Sequence, residues 1–567
     1  MSRISHVSDA SFLAAIRETR GRFGPAACRA KLALLRRADR APLHRAALLR
    51  DYHEWLLFLA TYPDDETCRA TAEKELRRLA TLVGSTPRLR RGLRNSGIAN
   101  SDASYAFSID FSTWLSARFG RDVELEWEEG SAGDALDEFL PRLALRVERD
   151  GLLNEDYSTQ EWLRLARGRR RGSTALAWLA REFERLTENE FLREQAWDAL
   201  ELHLAWRLHG SIASRTRCRF PPRRLQYHPD GLQRSVDVPA QLRQSMTGAP
   251  PLPRRAALRM IDMGRAVLAV RGRETDPLAY ANPGDVRLVR LERGVDVAIY
   301  GMRPARRLPL ESFFGFIAAR NRVPVGYGGG WVWGGRCEIG VNIFDTFRGG
   351  ESAMIFAQVM RVYHRLFRVW RFLVDPFQFG AGNREAIQSG AFWFYHRLGF
   401  RPIEPALRQL ADEERARIAT DAGYRTPAPR LRRLASARLI YEQPEGHIPR
   451  IADPGDLTRL GIAATRWIGR RFGGDRAAAQ RHCSAAVARR LGVRVDARRR
   501  PAEHRAFEEF SVLAAMIPDL RRWSRAERRA LAEVMAAKGA ARESDYARLL
   551  QNHPRLLDAI GRLSKRG

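Results

Sequence analysis

Along most of this 567-residue chain apolar residues recur at spacings of three and four, the repeat of an amphipathic helix, but within 285–344 the repeat drops to two. A repeat of two turns successive side chains to opposite faces of a strand, and no helix satisfies it. The chain must therefore fold as one block of strands joined to long helical flanks. Inside the block, 285–291 and 295–300 read as a hairpin about Arg293-Gly294. Residues 313–319 and 323–330 form a second about Asn321-Arg322, and 336–344 continues the meander. A helix over 351–367, a strand at 370–374, a loop through 375–383 and a helix from about 384 to 398 follow, closed by Gly399-Phe400-Arg401-Pro402.

The flanks have a different character. Residues 53–59 (HEWLLFL) and 66–83, closed by Gly84, read as helices. Ser158 and Glu161 have capping-box spacing, and Leu176, Leu179, Phe183 and Leu186 share one helical face. Residues 211–256 break into Pro, Arg, Gln and Gly (FPPRRLQYHPDG, then GAPPLPRRA), the composition of a linker. The expected organisation is a helical domain over 1–210, a linker over 211–256, a mixed α/β (α+β) domain over 257–404 that opens on a helix near 258–270, and a helical region over 405–567.

Charge narrows the chemistry. The chain has 97 Lys and Arg against 66 Asp and Glu, a net charge of +31, yet lysine occurs only at Lys31, Lys74, Lys538 and Lys565. A P-loop, a protein kinase and a Schiff-base enzyme each depend on a placed lysine, so none of them fits between Glu75 and Ala537. The five cysteines stand far apart, with no C-x-x-C pair and no histidine at zinc-finger spacing, which points to free thiols in a reducing compartment and to no metal. The opening residues carry charges where a signal peptide needs its apolar stretch, and no run of about 18 apolar residues occurs. A cytoplasmic protein with no membrane partner is the expectation.

Two segments of the mixed block carry a resemblance. Ala391-Phe392-Trp393-Phe394-Tyr395-His396-Arg397-Leu398-Gly399-Phe400 is similar to the closing helix and strand, A-x-x-F-Y-x-x-L-G-F, of the GNAT superfamily, the large group of acyl-CoA-dependent N-acyltransferases. The strand Glu338-Ile339-Gly340-Val341-Asn342-Ile343 running into Phe347-Arg348-Gly349-Gly350-Glu351-Ser352-Ala353 resembles the family's strand and its [R/Q]-x-x-G-x-[G/A] turn. The likeness covers 285–404, about a fifth of the chain. It implies an acyl-CoA N-acyltransferase-like mixed sheet that takes acetyl-CoA or another acyl-CoA as co-substrate and transfers the acyl group directly to an amine or protein acceptor.

Carried over residue by residue, the resemblance implies Tyr395 as general acid for the departing thiolate and Glu338 as base for the attacking amine. A carbonyl site falls at the backbone of Val341 and Ile343, and a pyrophosphate nest at Arg348, Gly349, Gly350, Ser352 and Ala353. Further cofactor contacts fall at Asn383 and at Gln388, which stands where the family has asparagine. Each has a plainer reading: Tyr395 as a packed aromatic, Glu338 as a strand glutamate paired with an arginine. His364 and His396 are alternative bases, or polar positions on helix faces. Glu351 replaces a family glycine and puts a carboxylate beside the expected diphosphate, or else caps its own helix. The run Gly326-Tyr327-Gly328-Gly329-Gly330-Trp331 lies inside the meander and reads as a place of close approach rather than a phosphate loop, with Trp331 and Trp333 as walls of a cleft. Only GMRPARRLPLES separates Tyr300 from Phe313, too little for the two helices that shape the family's acceptor site.

A second class stays open: a GNAT-like fold without catalysis, whose helical flanks bind a partner. Nucleic acid is less favoured, because the basic excess is spread over all regions except an acidic 101–150 and forms no single stripe in the sequence.

Overall fold

The computed structural model describes residues 9–39, 45–127, 132–153, 157–169, 174–210, 212–274, 276–444, 454–494 and 498–566. The chain forms two compact units, one from 1–231, 261–279 and 320–324, the other from 232–260, 280–319 and 325–567. No helix among the described residues is long and apolar enough to cross a membrane.

The first unit is largely helical. Helix Ala46–Thr61 buries Tyr52, Trp55, Leu56 and Leu59, and helix Glu66–Ser85 packs beside it. Asp65 caps the latter by accepting from the Cys68 N–H at 2.7 Å, and Gly84 lies within its last turn rather than beyond it. Lys31 and Asp64 form a buried pair at 2.6 Å. An all-helical reading of this region misses a small antiparallel sheet of β1 (Asp102–Ala106), β2 (Val123–Leu125) and β3 (His203–Arg207), in the order β1-β3-β2. Strands of three to five residues are too short to show a repeat, and β1 finds its partner about a hundred positions away.

The second unit holds an eight-stranded mixed sheet: β4 (Ala281–Arg290), β5 (Val295–Met302), β6 (Ser312–Arg320), β7 (Val323–Trp333), β8 (Arg336–Ile343), β9 (Arg371–Val374), β10 (Arg401–Pro402) and β11 (Leu439–Glu442). Their order is β10-β11-β9-β8-β7-β6-β5-β4. The meander follows the expected turns. Arg293 and Gly294 sit at φ 53° and 75°, Asn321 and Arg322 at 47° and 71°, the left-handed backbone that two-residue hairpins of this hand require. Every residue of β5 and β6 is buried, so the repeat of two there separates two packed faces rather than core from solvent. Beyond 404 the chain is not wholly helical. β11 enters the sheet between β9 and β10, and four residues between Arg438 and Gln443 give no periodic signal for it.

Helix α1 (Ser352–Phe367) connects β8 to β9, which run parallel. The helix expected from 384 to 398 is two, α2 (Arg384–Ser389) and α3 (Ala391–Arg397), broken at Gly390 in a left-handed conformation. The 232–253 segment is strapped to the sheet and to α1. Leu252 donates to Val286 O at 2.8 Å and Arg287 to Ala249 O at 2.6 Å. Arg361, 1% exposed, reaches Gln244 and Ser245 while pairing both carboxylate oxygens of Glu292 at 2.6 and 3.0 Å. That guanidinium pulls Glu292 down to about 2.

The glycines of β7 are packing residues. A β-carbon on Gly328 would overlap the carbonyl oxygen of Gly340, one on Gly329 the ring of Phe313, and one on Gly330 the ring of Tyr363. Trp331 stacks on Phe313, and Trp333 is 1% exposed within an apolar cluster of the C-terminal helices, so neither walls the cleft described below. Because the obstacle at Gly328 is backbone, Gly328→Ala is expected to lower the unfolding free energy by about 3 kcal/mol, read from urea denaturation midpoints at constant slope.

Candidate functional site

β8 pairs with β7 along all eight of its residues but with β9 only at Arg336, Cys337 and Glu338. Beyond Glu338 the two parallel strands part. Phe344 N–H donates to Val325 O at 3.0 Å, and antiparallel alternation then turns the Asn342 and Gly340 amides toward β7 and those of Val341 and Ile343 toward the gap left by β9. Neither of the latter two amides has a partner among the described residues.

The gap opens into a cleft of about 760 Å³. It gathers Val341, Ile343, Arg348, Gly349, Gly350, Ser352, Ala353, Asn383 and Tyr395, nine of the eleven residues the sequence nominates. The turn into α1 supplies amides. Arg348 N–H and Gly350 N–H are taken by Asp345 O and Phe347 O, but those of Gly349, Ser352 and Ala353 are unpartnered among the described residues. Gly349 is left-handed, φ 82°, and a β-carbon there would meet nothing within 4 Å.

Glu351 does not face this turn as a bare charge. Its side chain is fully buried and does not line the cleft. Oε1 accepts from Arg293 Nη2 at 2.6 Å and from Gln233 N–H at 2.9 Å. It makes no side-chain cap on α1. Those bonds hold the strap that contributes Arg234, Ser235 and Val236 to the cleft wall. Arg234 and Arg397 are exposed on the cleft with no partner among the described residues, whereas Arg348 is engaged by Glu385 and Asp345.

Tyr395 is 3% exposed, its ring boxed by Phe356, Phe379, Phe394 and Phe400 at centroid distances of 5.3 to 6.2 Å. Burial pushes its phenol well above the ordinary value. No group among the described residues bonds its hydroxyl, although a buried tyrosine ordinarily finds a partner. At neutral pH it is a protonated donor on a residue that lines the cleft.

The other nominees lie apart from this set. Glu338 is at the last paired position of β8, where the strands part, and its Oε2 accepts from Arg438 Nε at 3.0 Å rather than lining the cleft. Gln388 is on a neighbouring cavity of about 640 Å³ with Arg384 and Arg432. Asn383 touches both cavities, but its side chain caps α2 through Ala386 N–H at 3.0 Å and donates to Phe377 O at 3.1 Å. His364 Nδ1 lies 2.6 Å from Val369 O, and Cys337 is fully buried with its thiol driven far up by desolvation. Neither these two nor His396 lines the cleft. No group of three or more His, Cys, Asp or Glu among the described residues is placed to hold a metal. Sequence reasoning missed Arg397 as a site residue although it lies within the motif that carries Tyr395, and missed Arg234, for which the linker-like composition around it gives no signal.

The chain matches no protein-family model, no curated protein and no solved structure.

His396 is buried between Phe392 and Trp393, its Nε2 without a partner. Burial first, then Arg401 and Arg415, lower its pKa to about 4. The unfolded chain protonates it near about 6.5, so between these values the unfolded state binds more protons. The stability this group confers is whole above about pH 6.5 and is lost as pH falls toward 4. Urea unfolding of wild type and His396→Gln from pH 7.5 to 4 is expected to show a smaller acid loss in the variant, and parallel curves would count against this assignment.

Proposed function

We propose that the second unit binds an acyl-CoA in this cleft and transfers the acyl group to an amine, in a domain of GNAT-like fold. The observation that carries the reading is the convergence in one cleft of the unpaired strand amides of Val341 and Ile343, the open first-turn amides of α1 and the unpartnered hydroxyl of Tyr395. A diphosphate is satisfied by helix N-terminal amides and by free guanidiniums, and Arg234 and Arg397 are the free ones here. An extended pantetheine needs main-chain donors along its length, which a strand released from its neighbour provides. The parting of β8 and β9 supports the reading, because it leaves those strand amides open to a ligand.

The chemistry follows from those groups. The amine attacks the thioester carbonyl carbon, whose developing oxyanion is met by the strand amides. The C–N bond forms, the C–S bond breaks, and the thiolate takes the Tyr395 proton. The ammonium proton leaves to water at the apex, where Glu338 is the one carboxylate of β8 and already shares its Oε2 with Arg438. That ion pair favours a second reading, a domain that binds acyl-CoA without turnover.

Titration calorimetry with acetyl-CoA and longer acyl-CoAs is expected to show binding at micromolar concentrations. Arg234→Ala should weaken it about tenfold, the scale of one charge-assisted hydrogen bond, while Tyr395→Phe leaves it within twofold and slows acyl transfer about 100-fold. Absence of heat at sub-millimolar ligand would sink the cofactor reading. Binding without turnover on a broad amine panel would select the non-catalytic one.

A further inference from the structure

We propose that helices α4 (Leu457–Phe472) and α5 (Arg476–Leu491) form a docking surface for the phosphate backbone of a nucleic-acid duplex. Residues 454–494 contain nine arginines and only two acidic residues, Asp456 and Asp475. Both aspartates are spent on their own helices. Asp456 accepts from Arg459 N–H at 2.9 Å and Asp475 from Ala478 N–H at 2.8 Å, the N-caps of α4 and α5. Arg459, Arg470, Arg481, Arg489 and Arg494 are exposed and have no carboxylate partner among the described residues. Other arginines of this unit do have carboxylate partners: Arg361 with Glu292, Arg430 with Glu414, Arg438 with Glu338, Arg555 with Glu527.

The surface is fixed rather than tail-like. Leu460 of α4 and Val487 of α5 are buried in one apolar cluster with Trp333, Phe507 and Phe510, and Trp333 Nε1 donates to Gly455 O at 3.1 Å, just before α4. The helices are thereby anchored at the end of β7, beside the turn into β8 and at the opposite end of β8 from Val341 and Ile343. On α4, Arg459 and Arg470 fall within about 20° of each other around the axis and about 16 Å apart along it, so both lie on one side of the helix.

The kind of partner follows from what accompanies the charge. A helix lying on a lipid surface needs an apolar face, but Ile462 is the one exposed large apolar residue of α4 and α5. A protein interface needs an apolar or aromatic core inside its polar rim, and none is present on this face. A surface that offers guanidiniums alone fits a polyelectrolyte bound by counterion release. This inference rests on the charge pattern and not on the acyl-CoA reading, so either can fail without the other.

Fluorescence anisotropy of the full chain with labelled 20-base-pair RNA and DNA duplexes, from 50 to 200 mM KCl, tests it. With four phosphates neutralised by these helices, affinity should fall about 100-fold over that range. The quadruple variant Arg459→Gln, Arg470→Gln, Arg481→Gln, Arg489→Gln, all at exposed positions, should bind at least 30-fold more weakly at 100 mM salt and show a shallower salt slope. Its circular dichroism and acetyl-CoA titration should match wild type. Failure to bind either duplex at 50 mM salt would overturn the proposal. So would an unchanged affinity and slope in the variant, or wild-type binding to polyglutamate of equal charge, or to phosphatidylserine vesicles, as tight as to the duplex.

Discussion

The carboxylate of Glu351 is the point on which the geometry of the cleft depends. Burying a charge costs several kcal/mol unless it is paired and hydrogen-bonded, and Glu351 is held by the Arg293 guanidinium and the Gln233 amide. The consequence is directional. A carboxylate that stood in the open at the start of α1 would repel any anion approaching the first-turn amides, whereas one folded inward leaves those amides exposed. The same two bonds fasten the 232–253 strap at its cleft end, while Arg361 and Arg365 fasten it farther along α1. Arg234 therefore reaches the cleft because of a residue that, by position, looked set to obstruct it.

Local pattern carried a good share of this fold into view, and its failures have identifiable causes. The meander from β4 to β8 was legible because repeat-two segments alternate with the short turns Arg293-Gly294 and Asn321-Arg322, in which Gly294 and Asn321 are types that take left-handed backbone. Tyr395 and the Gly349-Gly350 turn came into view through the resemblance of two short segments to family motifs. β11 was not, since four residues show no repeat and its place between β9 and β10 is set by long-range pairing. The three strands of the first unit were hidden for the same reason. Arg234 was hidden because its position depends on two hydrogen bonds to Glu351, and Gln388 was misplaced by counting along a helix that Gly390 breaks.

Tyr395 and Glu338 show how much the surroundings of a residue decide. Both lie on motif segments, and both were nominated through the resemblance those segments carry. Tyr395 sits in an aromatic box where burial raises its pKa, and its hydroxyl has no partner among the described residues. Glu338 sits at the apex of the parted strands but is already bonded to Arg438, which arrives from just before β11. Tyr395 is thus left without a protein partner on the cleft, whereas Glu338 is tied through Arg438 to the strand that sequence pattern could not detect.

The near absence of lysine gives the remaining charges more meaning than their number does. Two of the four lysines, Lys31 and Lys538, are buried and paired with Asp64 and Glu543. Nearly all exposed positive charge is therefore guanidinium, permanently ionised, with a planar fork that matches carboxylates and phosphates alike. In the interior and along much of the second unit that fork is filled by carboxylates from this chain. On the cleft wall, at Arg234 and Arg397, and on the outer faces of α4 and α5, it is not. A guanidinium left in that state on an exposed surface stays available to an anion from outside the chain.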